Sequence, residues 1–307
     1  MNNLLIGNGL SISISNKFSY TSLRERISDD LSPAVERLFK KLGTDDFELL
    51  LTKIKDAREV IEAITDGQVI VSQTITEEIK QKLIEAIKSM NPRGPLDHGL
   101  NPQALNKALK QYNQTFTTNY DIYLYWARKG QQHFNIVDFF NGGTFDRNKA
   151  YRGDNDAIYF LHGTLFLFED ENKTIKINKG NFSTLDDAIH DRIENQNSLP
   201  LFISEGSYQE KLASIKKNEY LSFCYDNLRS MSGKLDIYGH GLNPDVDFHI
   251  IDAIKNSKVT EITYFQYNFE KMTNAEKAHL QTTLNTRLNH EIKIEDSQNH
   301  ALANWAI

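Results

Sequence analysis

The sequence predicts an α/β fold with a doubly wound, mainly parallel sheet and a helical insertion. Short apolar runs recur along the chain, and each is short enough to be a buried strand. These runs are residues 4–6, 115–118, 158–161, 200–203, 235–238 and 262–265. Amphipathic helical patterns lie between them, at residues 31–42, 47–64, 76–90 and 102–112. Strands that alternate with helices indicate a parallel sheet covered on both faces.

The helical insertion is predicted at residues 20–113, where the pattern is helical and no central strand is evident. Such an interval is too long for an ordinary crossover between parallel strands. Residues 91–95 carry two prolines and a glycine, so we expect a mobile loop between two helices, one that controls assembly or access to a cleft. A β-hairpin is predicted from residues 165–168 and 174–177. We interpret residues 1–307 as one domain that contains this insertion.

Composition excludes several classes of protein. The formal charge of −6 argues against sequence-independent binding to nucleic acid. One cysteine, Cys224, is too few for a disulfide framework or a cysteine-rich zinc module. No run approaches the roughly 20 apolar residues of a membrane span, and the N-terminus has no basic leader region. We therefore expect a cytoplasmic protein with no membrane partner.

The first chemical motif follows the first predicted strand, with Gly7, Asn8, Gly9 and Ser11 in a turn. Glycines at such a turn allow the backbone to approach a phosphate closely. The pattern is Rossmann-like but incomplete, because Ile12 stands where the third glycine of the dinucleotide fingerprint would be. An ordinary strand-to-helix turn explains the same residues.

Two further strands end in polar side chains. Asn119 and Asp121 follow the second apolar run, and His162 follows the third with Gly163 beside it, which would leave room for a ligand. Asn and Asp often only cap the next segment, and a lone histidine is more often a packed residue than a functional one.

The last motif is the turn of Gly239, His240 and Gly241, again after an apolar run. Behind it, Asp245, Asp247 and His249 would share one face of an extended segment and could hold a metal ion, as in a phosphohydrolase or nuclease. A simpler interpretation places the two carboxylates at the N-terminus of an apolar helix that begins at residue 248.

In this order, the four motifs resemble the sirtuin-like NAD-binding domains of bacterial antiphage defence proteins. The resemblance also includes residues 203–207, Lys211 and residues 218–221. It implies an NAD⁺ glycohydrolase that cleaves NAD⁺, as substrate rather than cofactor, to ADP-ribose and nicotinamide. Protein-deacetylating sirtuins normally carry a four-cysteine zinc module, so the single cysteine argues against deacetylation.

The resemblance also implies a role for each motif. Asn119 and His162 match the catalytic amide and histidine, and no metal ligand is implied. Asp121 matches the contact to the nicotinamide carboxamide. The remaining NAD-contacting positions match the two glycine turns: Gly7, Asn8, Gly9, Ser11, Gly239, His240 and Gly241. His240 departs from the Gly-Thr-Ser pattern of the deacetylases.

An NADase of this kind must stay silent in healthy cells, so the resemblance implies regulation in abortive infection. Self-assembly into a homo-oligomer or a separately encoded activator, such as a translocase-type ATPase, would supply it. The alternative is a non-catalytic sensor that binds NAD or ADP-ribose. Retention of both Asn119 and His162 favours the enzyme, because a sensor needs no base beside the ribose.

Overall fold

The computed structural model describes residues 1–45, 47–66, 74–90, 94, 97, 99–129, 136–151, 153, 155–171, 173–196, 198–203 and 207–305. The strands of these residues are β1 (Asn2–Ile6), β2 (Gln114–Thr117), β3 (Ile136–Val137), β4 (Phe140–Asn141), β5 (Thr144–Phe145), β6 (Asp156–Phe160), β7 (Gly163–Asp170), β8 (Lys173–Lys176), β9 (Pro200–Phe202), β10 (Ser232–Tyr238), β11 (Lys258–Gln266) and β12 (Ile292–Asp296).

The helices before β2 are α1 (Gly9–Ile14), α2 (Tyr20–Arg26), α3 (Pro33–Leu42), α4 (Phe47–Ile64), α5 (Thr74–Met90) and α6 (Pro102–Leu109). Those after it are α7 (Tyr123–Lys129), α8 (Leu185–Glu194), α9 (Tyr208–Lys217), α10 (Glu219–Ser230), α11 (Pro244–Lys255) and α12 (Asn274–Leu288). No described helix is long and apolar enough to cross a membrane.

The central sheet has seven strands in the order β12-β11-β10-β1-β2-β6-β3, and every neighbouring pair is parallel. From β6 across to β12, the six strands follow the order 3-2-1-4-5-6 of a Rossmann-like fold when they are numbered along the chain. The short strand β3 lies beyond β6 at the edge of the sheet. The predicted doubly wound, mainly parallel sheet is therefore confirmed. Leu4, Leu5 and Ile6 of β1 have no exposed surface, as expected for a strand covered on both faces.

A second, five-stranded sheet has the order β4-β5-β8-β7-β9 and is antiparallel. It contains the predicted hairpin as β7 and β8. Placing residues 200–203 among the parallel strands was wrong, because β9 pairs antiparallel with β7 at the edge of this sheet. Pro200 has no N–H to donate, which suits the start of an edge strand.

The insertion is helical. Its described residues between 20 and 113 form α2–α6, and none of them belongs to a strand of the central sheet. Ile79, Leu83, Ile84 and Ile87 of α5 are each at most 4% exposed and belong to the same hydrophobic cluster as β1. These positions therefore pack inward rather than form an exposed interface. Most of the predicted loop, including residues 91–93, 95 and 96, lies outside the described residues.

Helix α11 begins at Pro244, four residues earlier than the sequence pattern predicted. The Asn243 side chain accepts a hydrogen bond from the backbone N–H of Asp245 at 3.1 Å and caps the helix. Asp245 and Asp247 lie in the first turn, where negative charge is favourable. The segment is helical rather than extended, so the arrangement that the metal hypothesis required is contradicted.

Candidate functional site

The turns after β1 and β10 meet at the carboxyl ends of these two central strands. The chain moves outward from β1 through β2 and β6, then returns to β10 on the other side of β1. In doubly wound sheets, ligands bind in the crevice at this change of direction.

A cavity of about 440 Å³ lies at this edge of the sheet, within the range of small-molecule sites. It is lined by Gly7, Asn8, Gly9, Ile12, Phe18, Leu83, Ile87, Thr118, Asn119, Tyr120, Asp121, His162, Gly239, His240, Gly241, Asn243, Val246 and Asp247. Nine of the ten residues proposed from sequence are in this set. The tenth, Ser11, is fully buried and binds two of the others.

The two glycine turns pack against each other through their backbones. The Gly9 N–H donates to the carbonyl oxygen of Gly239 at 2.9 Å, and the Gly7 N–H donates to that of Tyr238 at 3.0 Å. A Cβ atom on Gly9 would lie 2.5 Å from the Cα of Gly239, and Gly239 itself has a φ of +65°. The glycines are therefore required by this close contact, and the Gly7 and Gly9 N–H groups are already engaged within the fold.

Ser11, Asn119 and Asp121 form one hydrogen-bonded chain between α1 and the segment after β2. The Asn119 side chain donates from Nδ2 to Ser11 Oγ at 2.8 Å, and Ser11 Oγ donates to Asp121 Oδ2. Asp121 Oδ1 accepts the backbone N–H of Tyr123 at 2.9 Å. The Asn119 Oδ1 atom is buried and has no hydrogen-bond partner among the described residues. Such an atom calls for a ligand or a water molecule.

His162 connects the two sheets, because it lies between the end of β6 and the start of β7. Its Nε2 lies 2.9 Å from Nε2 of His249 in α11, and the two rings stack with centroids 5.1 Å apart. The prediction that the neighbouring Gly163 leaves room for a ligand was wrong. A Cβ atom there would overlap the carbonyl oxygen of Leu201 in β9.

Burial changes the proton affinities of these groups. It lowers the pKa of His162 well below its usual value, with further lowering by His249, Lys211 and His240. Burial also lowers the pKa of His249 to about 3. Both imidazoles are therefore neutral at pH 7, as a base or a hydrogen-bond acceptor must be. Burial raises the pKa of Asp121, against the opposing effect of its hydrogen bond from Ser11.

His240 is held in place by its own turn. Its Nδ1 accepts the backbone N–H of Leu242 at 3.1 Å, and its carbonyl oxygen accepts the hydroxyl of Tyr264 at 3.0 Å. Gly241 differs from the other glycines of the site, because a Cβ atom there would meet nothing within 4 Å. This glycine is open to the cavity rather than locked by a neighbour.

A family model described as a domain of unknown function (DUF4917) matches residues 4–303. The chain belongs to the DUF4917 family. No curated protein matches its sequence. The matched range of this DUF4917 chain includes every strand of the central sheet except the first two residues of β1, together with all the residues of the cavity.

The apolar wall of the cavity was not predicted from the sequence. Ile12 and Phe18 come from the segment after β1, Leu83 and Ile87 from α5, and Val246 from α11. In the sequence these residues look like ordinary helix-packing positions. No local signal separates a side chain that lines a cavity from one that fills the core.

The site also lacks two features among its described residues. No lysine or arginine lines the cavity. No group of three or more His, Cys, Asp or Glu side chains in the described chain is close enough together to hold a metal ion. The polar residues of the wall instead carry amides, hydroxyls (Thr118 and Tyr120), carboxylates (Asp121 and Asp247) and imidazoles (His162 and His240), beside backbone groups.

Proposed function

We propose that this chain is an NAD⁺ glycohydrolase that cleaves NAD⁺ to ADP-ribose and nicotinamide. The observation that carries the proposal is the buried Asn119 Oδ1 atom, which has no hydrogen-bond partner among the described residues and belongs to a residue that lines the same cavity as a neutral histidine, His162. The position of that cavity, at the change of strand direction, suits a nucleotide. The assignment to NAD⁺ itself rests on the resemblance to sirtuin-like defence domains.

The reaction breaks the bond between C1′ of the ribose and the nicotinamide nitrogen. The electron pair of that bond stays with nicotinamide, which leaves as a neutral molecule, and a water oxygen bonds to C1′. Asn119 Oδ1 would accept a hydrogen bond from the water or from a ribose hydroxyl, and His162 would take the released proton. A general base of this kind contributes about 10²- to 10⁴-fold to a rate.

The other wall residues suit the rest of such a substrate. Asp121, oriented by Ser11 and by the Tyr123 N–H, would face the carboxamide of nicotinamide. The apolar side chains of Ile12, Phe18 and Leu83 would contact a planar ring. Gly241 leaves open space for backbone contact with the adenosine side.

The first test measures nicotinamide released from NAD⁺ by the purified chain. We expect Asn119→Ala and His162→Ala to lower the release at least 100-fold, because each removes a group that contacts the reacting ribose or water. Asn274→Ala, at the exposed first residue of α12, is the matched control and should behave as the wild type. Near-normal release by either site variant, with an unchanged melting temperature, would remove that residue from the catalytic assignment.

A second substrate tests the choice of NAD⁺ itself. Because no lysine or arginine is among the described cavity residues, nothing in that wall neutralises a pyrophosphate by charge. Nicotinamide riboside carries the same scissile bond and no phosphate. We nevertheless expect a higher kcat/KM for NAD⁺, because its adenosine half would gain contacts at the open Gly241 turn. Preference for the riboside would keep the glycosidase chemistry and reject the NAD⁺ assignment.

The sensor alternative gives a different result in the same assay. A sensor would bind NAD⁺ or ADP-ribose, as measured by calorimetry, and would release no nicotinamide with or without its activator. For a defence effector, we expect release to rise on self-assembly or on addition of a separately encoded activator such as a translocase-type ATPase. Size measurement during an activity assay in lysate from phage-infected cells tests this regulation.

A further inference from the structure

His249 lies within hydrogen-bond distance of His162, yet it does not line the cavity. It lies in α11, is 1% exposed, and stacks on His162 with an angle of 26° between the rings. The hydroxyl of Tyr225 in α10 donates to the His249 carbonyl oxygen at 3.2 Å. The helix and this bond hold His249 in position.

The short distance between the two Nε2 atoms limits how protons can be arranged. One Nε2 must carry a hydrogen and the other must accept it, because two bare or two protonated nitrogens at 2.9 Å would repel. The donor determines which nitrogen of His162 is available to a substrate. The bond made by one ring nitrogen fixes the protonation of the other.

If His162 donates, its Nδ1 is bare and can take a proton. If His249 donates, His162 carries its hydrogen on Nδ1 and cannot act as a base without first losing it. The first arrangement places a hydrogen on Nδ1 of His249, an atom that is buried without a hydrogen-bond partner among the described residues. A buried N–H without an acceptor costs about 1–3 kcal/mol. The fold would bear this cost in free energy in the tautomer that leaves Nδ1 of His162 free to act as a base.

We propose that His249 is a positioning residue for His162, which accepts the Nε2–H of His162 and so keeps Nδ1 of His162 bare for the substrate. This inference rests on the proposed function. Once His162 Nδ1 takes a proton, the ring becomes an imidazolium, and the lone pair of His249 Nε2 stabilises it through the same hydrogen bond. The task is the one that the buried aspartate performs for the histidine of a Ser-His-Asp triad.

A neutral acceptor suits the surroundings of this pair. Burial lowers the pKa of both histidines, and Lys211 and His240 lie near enough to lower it further. The His249 ring lies at 26° to the His162 ring with the centroids 5.1 Å apart, so this contact restricts the ring plane of His162 as well.

The first measurement is nuclear magnetic resonance of the whole chain with ¹⁵N-labelled imidazoles. We expect a scalar coupling across the hydrogen bond between the two Nε2 atoms, with the hydrogen attached to His162. Its Nδ1 should show the chemical shift of a bare nitrogen. A hydrogen attached to Nε2 of His249, or the absence of coupling, would overturn the proposal. This result needs no substrate and no variant that must fold.

The second measurement separates positioning from a structural role. In His249→Leu we expect kcat to fall about 10- to 100-fold, the range found for outer partners of metal-bound histidines. KM should change less than about twofold, because His249 does not line the cavity. His249→Gln, whose side-chain oxygen can accept the same hydrogen, should recover much of the loss. The control is His279→Gln at an exposed position of α12.

The outcomes distinguish the two proposals. Unchanged kcat in a folded His249→Leu variant contradicts the positioning role, even if the wild type is an active glycohydrolase. A wild type that shows the predicted coupling but releases no nicotinamide contradicts the proposed function, while the tautomer assignment stands.

Discussion

Two buried histidine clusters of this chain have similar electrostatics and different surroundings. His300 donates from Nε2 to the hydroxyl of Tyr112 at 2.8 Å, and its Nδ1 accepts the Leu302 N–H at 3.0 Å. The Tyr112 hydroxyl in turn donates to Asp236 at 2.6 Å. Every polar ring atom of His300 is therefore bonded inside the fold.

The cluster of His162 and His249 is not fully hydrogen-bonded within the described part of the fold. His162 faces the cavity, and Nδ1 of His249 has no hydrogen-bond partner among the described residues. Yet burial lowers the pKa of His300 to about 4, much as it lowers that of His249 to about 3. A perturbed pKa alone does not distinguish a structural histidine from a functional one. The two clusters differ instead in their hydrogen bonds and in whether a member lines the cavity.

The largest expected effect is on activity. His162→Leu should lower nicotinamide release at least 100-fold, whereas His300→Leu should leave kcat within about twofold, because His300 does not line the cavity. Loss of His300 leaves the Leu302 N–H unpaired and should lower the free energy of unfolding by about 1–3 kcal/mol. Assays of both variants with matched denaturant titrations decide this, and equal activity losses would undo the distinction.

The same contrast applies to two glycines of the site. Gly9→Ala places a methyl group 2.5 Å from the Cα of Gly239, so we expect a loss of about 1–3 kcal/mol in the free energy of unfolding. Gly241→Ala meets nothing within 4 Å and should stay within about 0.5 kcal/mol of the wild type. Denaturant titration measures both. A Gly9→Ala variant as stable as Gly241→Ala would show that the turns do not depend on their backbone contact.

Acid should destabilise the protein through both clusters. The pKa of each histidine is lower in the folded than in the unfolded chain, so the unfolded chain binds more protons below about pH 6.5. Stability is therefore lost as the pH falls from about 6.5 toward 4 for His300, and toward 3 for His249. Each histidine adds a slope of at most about 1.4 kcal/mol per pH unit. Denaturant titrations from pH 7 to 4 should show a shallower slope in His249→Leu and in His300→Leu. An unchanged slope would contradict the assigned pKa shifts.

The smallest expected effect concerns the apolar wall. Ile87→Ala should raise KM for NAD⁺ about two- to fivefold with kcat nearly constant, since it removes apolar contact area rather than a reacting group. Ile79→Ala, on the same helix but away from the cavity lining, is the control for stability. A drop in kcat alone would show that α5 acts on the chemistry instead of on binding.

The local pattern of the sequence was sufficient for the main elements. Continuous apolar runs such as residues 4–6 and 235–238 identify strands covered on both faces, because such strands have no solvent side to mark with polar residues. The position of Gly7, Asn119, His162 and Gly239 directly after such runs predicts one shared edge, and the structure places all four around one cavity. The regular spacing of apolar residues in 47–64 predicts the helix at its observed bounds.

Tertiary structure alone decided which polar atoms of the site are hydrogen-bonded within the fold and which side chains line the cavity. Glycine turns have the same sequence whether their N–H groups face a phosphate or a neighbouring turn, and here those of Gly7 and Gly9 are bonded to the β10 strand and turn. The pairing of His162 with His249 joins residues 87 positions apart, and the Leu83 and Ile87 wall comes from a distant helix. Contacts at such separations depend on how the elements pack, and local propensity carries no record of them.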